Sequence, residues 1–303
     1  MGTFFQELAK KLAERWLTLL AIPGALFIAA AGIGIRLGQH HALDYPRLRR
    51  AATDLTAWIA RQPPGSQAAA LIAVLLAAAG VGLAVQALAG VTRMVWLGPW
   101  PRLLTPVQRR RVASRRRRWL TLVNQRRTLQ QAYPPASRTL DQQRDIDTAA
   151  RQVNRLALAE PGRPTWMGDR IHALEQIALD RYGLDLTFAW PRLWLVLPDT
   201  TRTEITTANA AFAAAAATGT WAWPYLLLGV LWWPAAAIGV GIGVIGWVHA
   251  RAAVTDLTAV SEAALDLHGR TLAVALGVAE PDRAGPITLA EGQQLTALIR
   301  KGR

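Results

Sequence analysis

The chain has 303 residues, 52% of them hydrophobic, a mean hydropathy of +0.18 and a formal charge of +14. A hydropathy above zero in so basic a chain excludes an ordinary water-soluble domain and points to membrane helices joined by basic loops. Cysteine is absent, which excludes disulfides, a thiol nucleophile and thiolate metal sites.

Thr3-Phe-Phe-Gln6 has the form of a capping box, so a helix is expected to start there. Phe4, Phe5, Leu8 and Leu12 share one face beside Lys10, Lys11 and Arg15, the pattern of an amphipathic interfacial helix over residues 1–15. Residues 16–35 then carry no Asp, Glu, Lys or Arg, and a crossing is expected at 16–36. Pro23-Gly24 within it marks a kink or a close approach. A cleaved signal peptide fits less well: the apolar run exceeds an h-region, and no polar segment precedes Ala29-Ala30-Ala31. Residues 37–66 make an extracytoplasmic loop with a helix over 51–61, broken at Gln62-Pro63-Pro64-Gly65. The second charge-free block, 62–92, holds a crossing at 68–92 and completes a first hairpin, 16–92.

Residues 93–204 carry 20 arginines against ten acids and are expected to form a basic cytoplasmic helical module. The segment opens on Trp96-Leu-Gly-Pro-Trp100-Pro101, where Trp96 and Trp100 are expected as interfacial anchors. A helix to Gln131 follows, carrying Arg109, Arg110, Arg111, Arg115, Arg116, Arg117 and Arg118. Tyr133-Pro134-Pro135 ends it, and helices are predicted over 138–160 and 168–182, the latter stopped by Gly183. Residues 184–198 are apolar, too short to span and rich in tryptophan; Trp190 and Trp194 are expected to pack under the crossings or anchor at the interface.

The third charge-free block, 205–250, is 46 residues long, roughly 69 Å as one helix, more than twice a hydrocarbon core. It must fold back. Trp232-Trp233-Pro234 is the natural turn, which puts crossings at 208–231 and 234–250 and makes Trp232 and Trp233 anchors. Gly241-x-Gly243-x-x-Gly246 has the spacing of a dinucleotide fingerprint, and Glu262 and Asp266 follow at a suitable distance. That fingerprint needs a preceding strand and a soluble βαβ unit. Inside an uncharged stretch, Gly239, Gly243 and Gly246 read instead as small-residue helix packing. Residues 251–303 are expected as cytoplasmic helices, punctuated at His268-Gly269, with a last capping box at Thr288-Leu-Ala-Glu291.

The expected fold is therefore all-α: four transmembrane helices in two hairpins, with a cytoplasmic helical module inserted between the second and third. Basic residues flank the first and second crossings on one side, so the positive-inside rule places both termini and the module in the cytoplasm of a bacterial cell whose cytoplasmic membrane holds the chain.

Residues that could carry chemistry are sparse. The serines are Ser66, Ser114, Ser137 and Ser261, none in a nucleophile-elbow pattern. His40-His41 with Asp44 could hold a metal but reads better as an interfacial loop, and no cofactor or metal is expected. Asp141, Asp145 and Asp147 alternate with arginines and read as a solvated, salt-bridged face. The predicted crossings offer only Gln86, Asn209, Thr218 and Thr220 as polar groups, which argues against a proton-driven transporter. The seven arginines of 109–118 could neutralise nucleic-acid phosphates, but their place after a crossing favours anionic headgroups and topology. The expected partners are an anionic bilayer, a second copy of the chain and a cytoplasmic protein, with nucleic acid disfavoured. The expected task is non-enzymatic: an oligomerising anchor or scaffold that assembles a partner at the membrane. The alternative is a homo-oligomeric channel gated by the module.

Arg163-Pro-Thr-Trp-Met-Gly-Asp-Arg-Ile-His-Ala-Leu-Glu, Arg181-Tyr-Gly-Leu-Asp-Leu and Trp190-Pro-Arg-Leu-Trp-Leu-Val-Leu-Pro-Asp199 together resemble a segment of multi-pass membrane proteins of actinomycete type. The resemblance covers the second half of the chain. It implies a membrane protein and carries over no activity and no functional residue.

Overall fold

The structure, a computed structural model, describes residues 21–300. It is all-α and 82% helical, with no strand among the described residues. Eleven α-helices are described: α1 (Ile22–Leu37), α2 (Tyr45–Ala60), α3 (Pro64–Leu97), α4 (Thr105–Ala132), α5 (Leu140–Leu156), α6 (Trp166–Tyr182), α7 (Leu186–Val196), α8 (Asp199–Thr220), α9 (Ala222–Leu228), α10 (Trp233–Ala275) and α11 (Leu289–Arg300). The interfacial helix expected over 1–15, and the start of the first expected crossing, lie outside the described residues.

Most boundaries have local causes. Asp44 caps α2 by accepting from the Arg47 N–H at 2.9 Å. Pro64 begins α3, where its missing N–H leaves no intrahelical bond unmade. Thr139 and Gln142 form a reciprocal capping box at the start of α5. Gly183 ends α6 in the left-handed region at φ +65, which a side chain would resist. Thr288 and Glu291 cap α11 reciprocally: the Thr288 N–H donates to the carboxylate at 2.8 Å and the Glu291 N–H to the hydroxyl at 3.3 Å.

Two sequence expectations need correction. Among the described residues two helices, not four, are by themselves long and apolar enough to cross a membrane: the one that opens at Pro64, and α10. The described part of α1 has 16 residues, and α8 opens on the polar Asp199-Thr-Thr-Arg-Thr-Glu204 and ends at Thr220 before the apolar run does. His268-Gly269 also fails to interrupt its helix, because α10 continues to Ala275. Gly269 lies where that helix meets Ile287, whose Cγ2 would be 3.3 Å from an added Cβ, so the missing side chain serves packing.

The chain divides into two compact units. Among the described residues the first comprises 21–92 and Ala214–His249. Its core is small: Tyr225, Leu228 and Ala235 are buried, with Phe27, Trp221 and Trp232 packed against them. Phe27 meets Tyr225 edge-on at 5.3 Å between ring centroids. Small residues bring its helices together. A Cβ on Gly24 would collide with the Ala78 carbonyl of α3, and one on Gly246 would lie 2.6 Å from Gly219 Cα of α8. Between the hairpin arms the chain turns at 229–232, where the Gln39 side chain donates to the Gly229 and Val230 carbonyls at 2.9 and 2.7 Å. The Trp232 indole donates to the Ala42 carbonyl at 3.0 Å. These bonds satisfy turn carbonyls that no helix claims.

The second unit comprises Arg93–Ala213 and residues from Ala250 onward. Leu184, Leu193, Leu265, Leu272 and Leu295, from the α6–α7 link and helices α7, α10 and α11, are almost wholly inaccessible and form its core. Helices α4 and α5 pair as a hairpin closed by Tyr133-Pro134-Pro135. Ile146, Ala149 and Val153 make the buried stripe of α5.

Candidate functional site

A buried carboxylate that no local sequence pattern singles out ties several helices of the second unit together. Asp169, in the first turn of α6, is 2% exposed. It accepts the Arg115 Nε–H of α4 at 2.7 Å and the backbone N–H groups of Gly162 and Arg163 at 2.9 and 2.7 Å. Arg115 also donates to the Leu156 carbonyl at the end of α5, at 2.9 Å. One anion thus fixes α4, α5, α6 and the 161–164 turn. The α6 N-terminus adds its own favourable dipole. Nearby, Thr165 donates to the Trp96 carbonyl at 2.6 Å, and a Cβ on Gly168 would collide with the Leu97 carbonyl. No local pattern could announce the Arg115 contact, because it spans 54 positions.

The arginine cluster consequently divides. Arg115 turns inward, and Arg116 pairs with Glu160. Arg111 lies over the Trp100 ring at 6.0 Å, while Trp100 donates to the Val95 carbonyl. Arg109, Arg110, Arg117 and Arg118 are exposed on a helix with no buried residue. The inward arginine holds the helix in one orientation, so the outward four form a displayed basic face.

Trp190 and Trp194, expected as anchors, stand on the wall of a cleft of about 550 Å³ between α6, α7, α8 and α10. Their rings are 6.5 Å apart and tilted by 41°. Leu174, Leu186, Ile205 and Leu257 supply apolar walls. The polar lining is Glu175, Thr206, Asn209, Thr258 and Ser261, with no arginine, lysine or histidine. A cleft of this size, mostly apolar with a few convergent polar groups, has the character of a small-molecule site. The sequence hinted at it only through the two tryptophans.

Behind the cleft the polar groups of α6 and α10 are paired. Arg170 donates to the Thr258 hydroxyl at 3.2 Å and lies over Trp166, whose ring Arg251 also covers at 4.1 Å. Burial pulls the Arg170 guanidinium below its ordinary value, and Glu262 partly offsets that. Tyr182 donates to Asp266 at 2.5 Å; burial first, and that bond second, push its phenol up to about 12. At α11, burial pushes the Asp185 carboxyl up, but Arg300 and the Thr187 N–H outweigh it and hold the group below its ordinary value. The backbone and hydroxyl of Thr288, then Arg270, hold Glu291 low. These are the ties of a packed module.

The other expected residues belong to the first unit. Gly239 and Gly243 of α10 face Ala222, and Gly246 faces Gly219. Gly241 meets open space. Within α10 the fingerprint spacing is simply helix. Trp233 begins α10 and its N–H donates to Gln39. A polar relay joins α3 to the α8–α9 region: the Trp223 indole N–H donates to the Thr92 hydroxyl, which bonds to the Thr220 hydroxyl at 2.8 Å. Thr220 in turn donates to the Ala216 carbonyl, so each hydrogen is used once. Among the described residues, no three acids or histidines gather as a metal site.

No family model matches the chain, and no curated protein or solved structure matches it either.

Proposed function

We propose that this chain is a multi-pass integral membrane anchor. It holds a basic helical module against an anionic leaflet and assembles a partner there, without catalysis. The observation that carries the membrane part is an apolar surface with no protein to cover it. The most apolar eighteen-residue windows of the two long helices are only 22% and 28% buried. The core helix of a water-soluble protein would be mostly covered, whereas Leu71, Ile72, Leu75, Leu76, Val240, Val244 and Ile245 are all exposed. A contiguous belt of that kind needs lipid or a partner as its solvent.

Two further crossings, built from shorter helices, would complete two hairpins. Residues 208–228, the apolar part of α8 followed by α9, span roughly 31 Å at helical rise. Trp221, at their junction, keeps helical dihedrals of φ −61 and ψ −18. Two such hairpins leave residues 93–204 and the C-terminal segment on one side. That side is the cytoplasm by the distribution of arginine.

Support for the assembly role comes from the face of Arg109, Arg110, Arg117 and Arg118, oriented by Arg115 and Asp169. Each such charge near an anionic surface contributes about 1 kcal/mol. A photo-crosslinker placed at Val107 or Ala113, within native membranes, should give lipid adducts and one recurrent protein adduct. Replacing the four arginines by glutamine should abolish both. Retained adducts at equal yield would remove the assembly reading, and reproducible unitary currents from the purified chain in planar bilayers would replace it with a channel.

A further inference from the structure

We propose that the α6–α7–α8–α10 cleft is a binding site for a lipophilic organic cation, a compact apolar body bearing one delocalised or quaternary positive charge. The argument stands on the composition of the cleft and does not depend on the membrane reading.

The chain carries 34 lysines and arginines against 20 acids, yet the cleft lining contains none of the 34 and one of the 20. That carboxylate, Glu175, is 42% exposed and meets the His172 ring nitrogen at a long 3.4 Å. Much of its acceptor capacity is therefore open to a ligand or to solvent. On α7, Trp190 and Trp194 line the same cleft one helical turn apart, their rings 6.5 Å apart and tilted by 41°. Aromatic faces attract a cation through their quadrupole, most strongly when it is weakly hydrated, and indole is the best of the three rings. The remaining polar lining is neutral hydroxyl and amide, which can orient a ligand without repelling it.

Arg170, which precedes the lining residue Ile171, does not itself line the cleft. It is held on the Thr258 hydroxyl and offset by Glu262. An anionic amphiphile would bring its charge towards Glu175 with no counter-charge in the lining. A wholly neutral apolar ligand would leave Glu175 with the long His172 contact alone. Of the three charge types, the cation alone uses both features.

The test is equilibrium dialysis of radiolabelled tetraphenylphosphonium against the purified full-length chain in a neutral detergent, with tetraphenylborate as an anion of the same shape. One saturable phosphonium site is expected, together with no saturable borate site. Glu175→Gln should weaken phosphonium binding about tenfold, and Trp190→Ala by a similar factor. Saturable borate binding of equal strength, no saturable phosphonium binding, or an unchanged constant in E175Q would each overturn the proposal. The comparison of the two ions on the unaltered chain needs no variant, so a substitution that unfolds the protein cannot mask the answer.

Discussion

Asp169 shows how much one buried side chain can decide. Its carboxylate is 1% exposed and answers three donors, one of them the guanidinium of Arg115. Replacing it by asparagine keeps the size but withdraws the charge, leaving Arg115 part-buried with no anion. Removing one partner of a buried pair costs more than the pair contributes, because the survivor stays desolvated. Asp169→Asn should therefore destabilise the second unit by about 3 kcal/mol. Chemical denaturation in detergent, followed through the Trp119 and Trp166 environments, reads this directly. Arg109→Gln, at an exposed position on the same helix, should change stability by less than about 0.5 kcal/mol. Equal losses in the two variants would show that the carboxylate is no keystone.

Glycine spacing in α10 gives the corresponding test for an element, because neighbouring glycines face different surroundings. A Cβ at Gly246 would press on Gly219 at 2.6 Å, where the obstacle is backbone and cannot rotate away. At Gly241 nothing lies within 4 Å. Gly246→Ala should therefore force the α8 and α10 arms apart and cost about 1–3 kcal/mol. Gly241→Ala should be neutral or stabilising by up to about 1 kcal/mol, since alanine favours the helix. Unfolding titrations in mixed micelles would check the order, which a common lipid-facing role for both glycines would erase. The same helices show what could be read from sequence and what could not. Pro64, Gly183 and the Thr288–Glu291 box set helix ends through neighbours a few positions away, so their meaning survives without the fold. The turn before Trp233 was legible for the same reason. Asp44 and Thr139 were equally local and could have been found as caps. Arg115 could not be separated from Arg116 or Arg117 by any local rule, since its direction depends on Asp169. The cleft is assembled from four helices spread over residues 171–261, and periodicity alone cannot bring them together.

For the molecule as a whole, the distribution of charge makes a prediction about sides. Residues 37–66 carry Arg47, Arg49, Arg50 and Arg61, tempered by Asp44 and Asp54. The segment from Arg93 onward carries Arg93, Arg102, Arg109, Arg110 and Arg111, then the four of 115–118, before its first acid. Positive charge close to a crossing resists translocation, so the second segment is expected to stay inside and the first to be exported. With no cysteine in the chain, single-cysteine variants report without background labelling. Ser66 and Ser137 are both exposed and make small replacements. In intact spheroplasts, Ser66→Cys should react with a membrane-impermeant maleimide, and Ser137→Cys should react only after permeabilisation. Since α3 is the one crossing expected between the two positions, opposite accessibility is what its crossing requires. Reversed labelling would preserve the crossing and invert the orientation, moving the arginine face of α4 to the exterior and ending its role against the inner leaflet. Equal labelling of both would mean that α3 does not cross, and that its exposed leucines are covered by another protein.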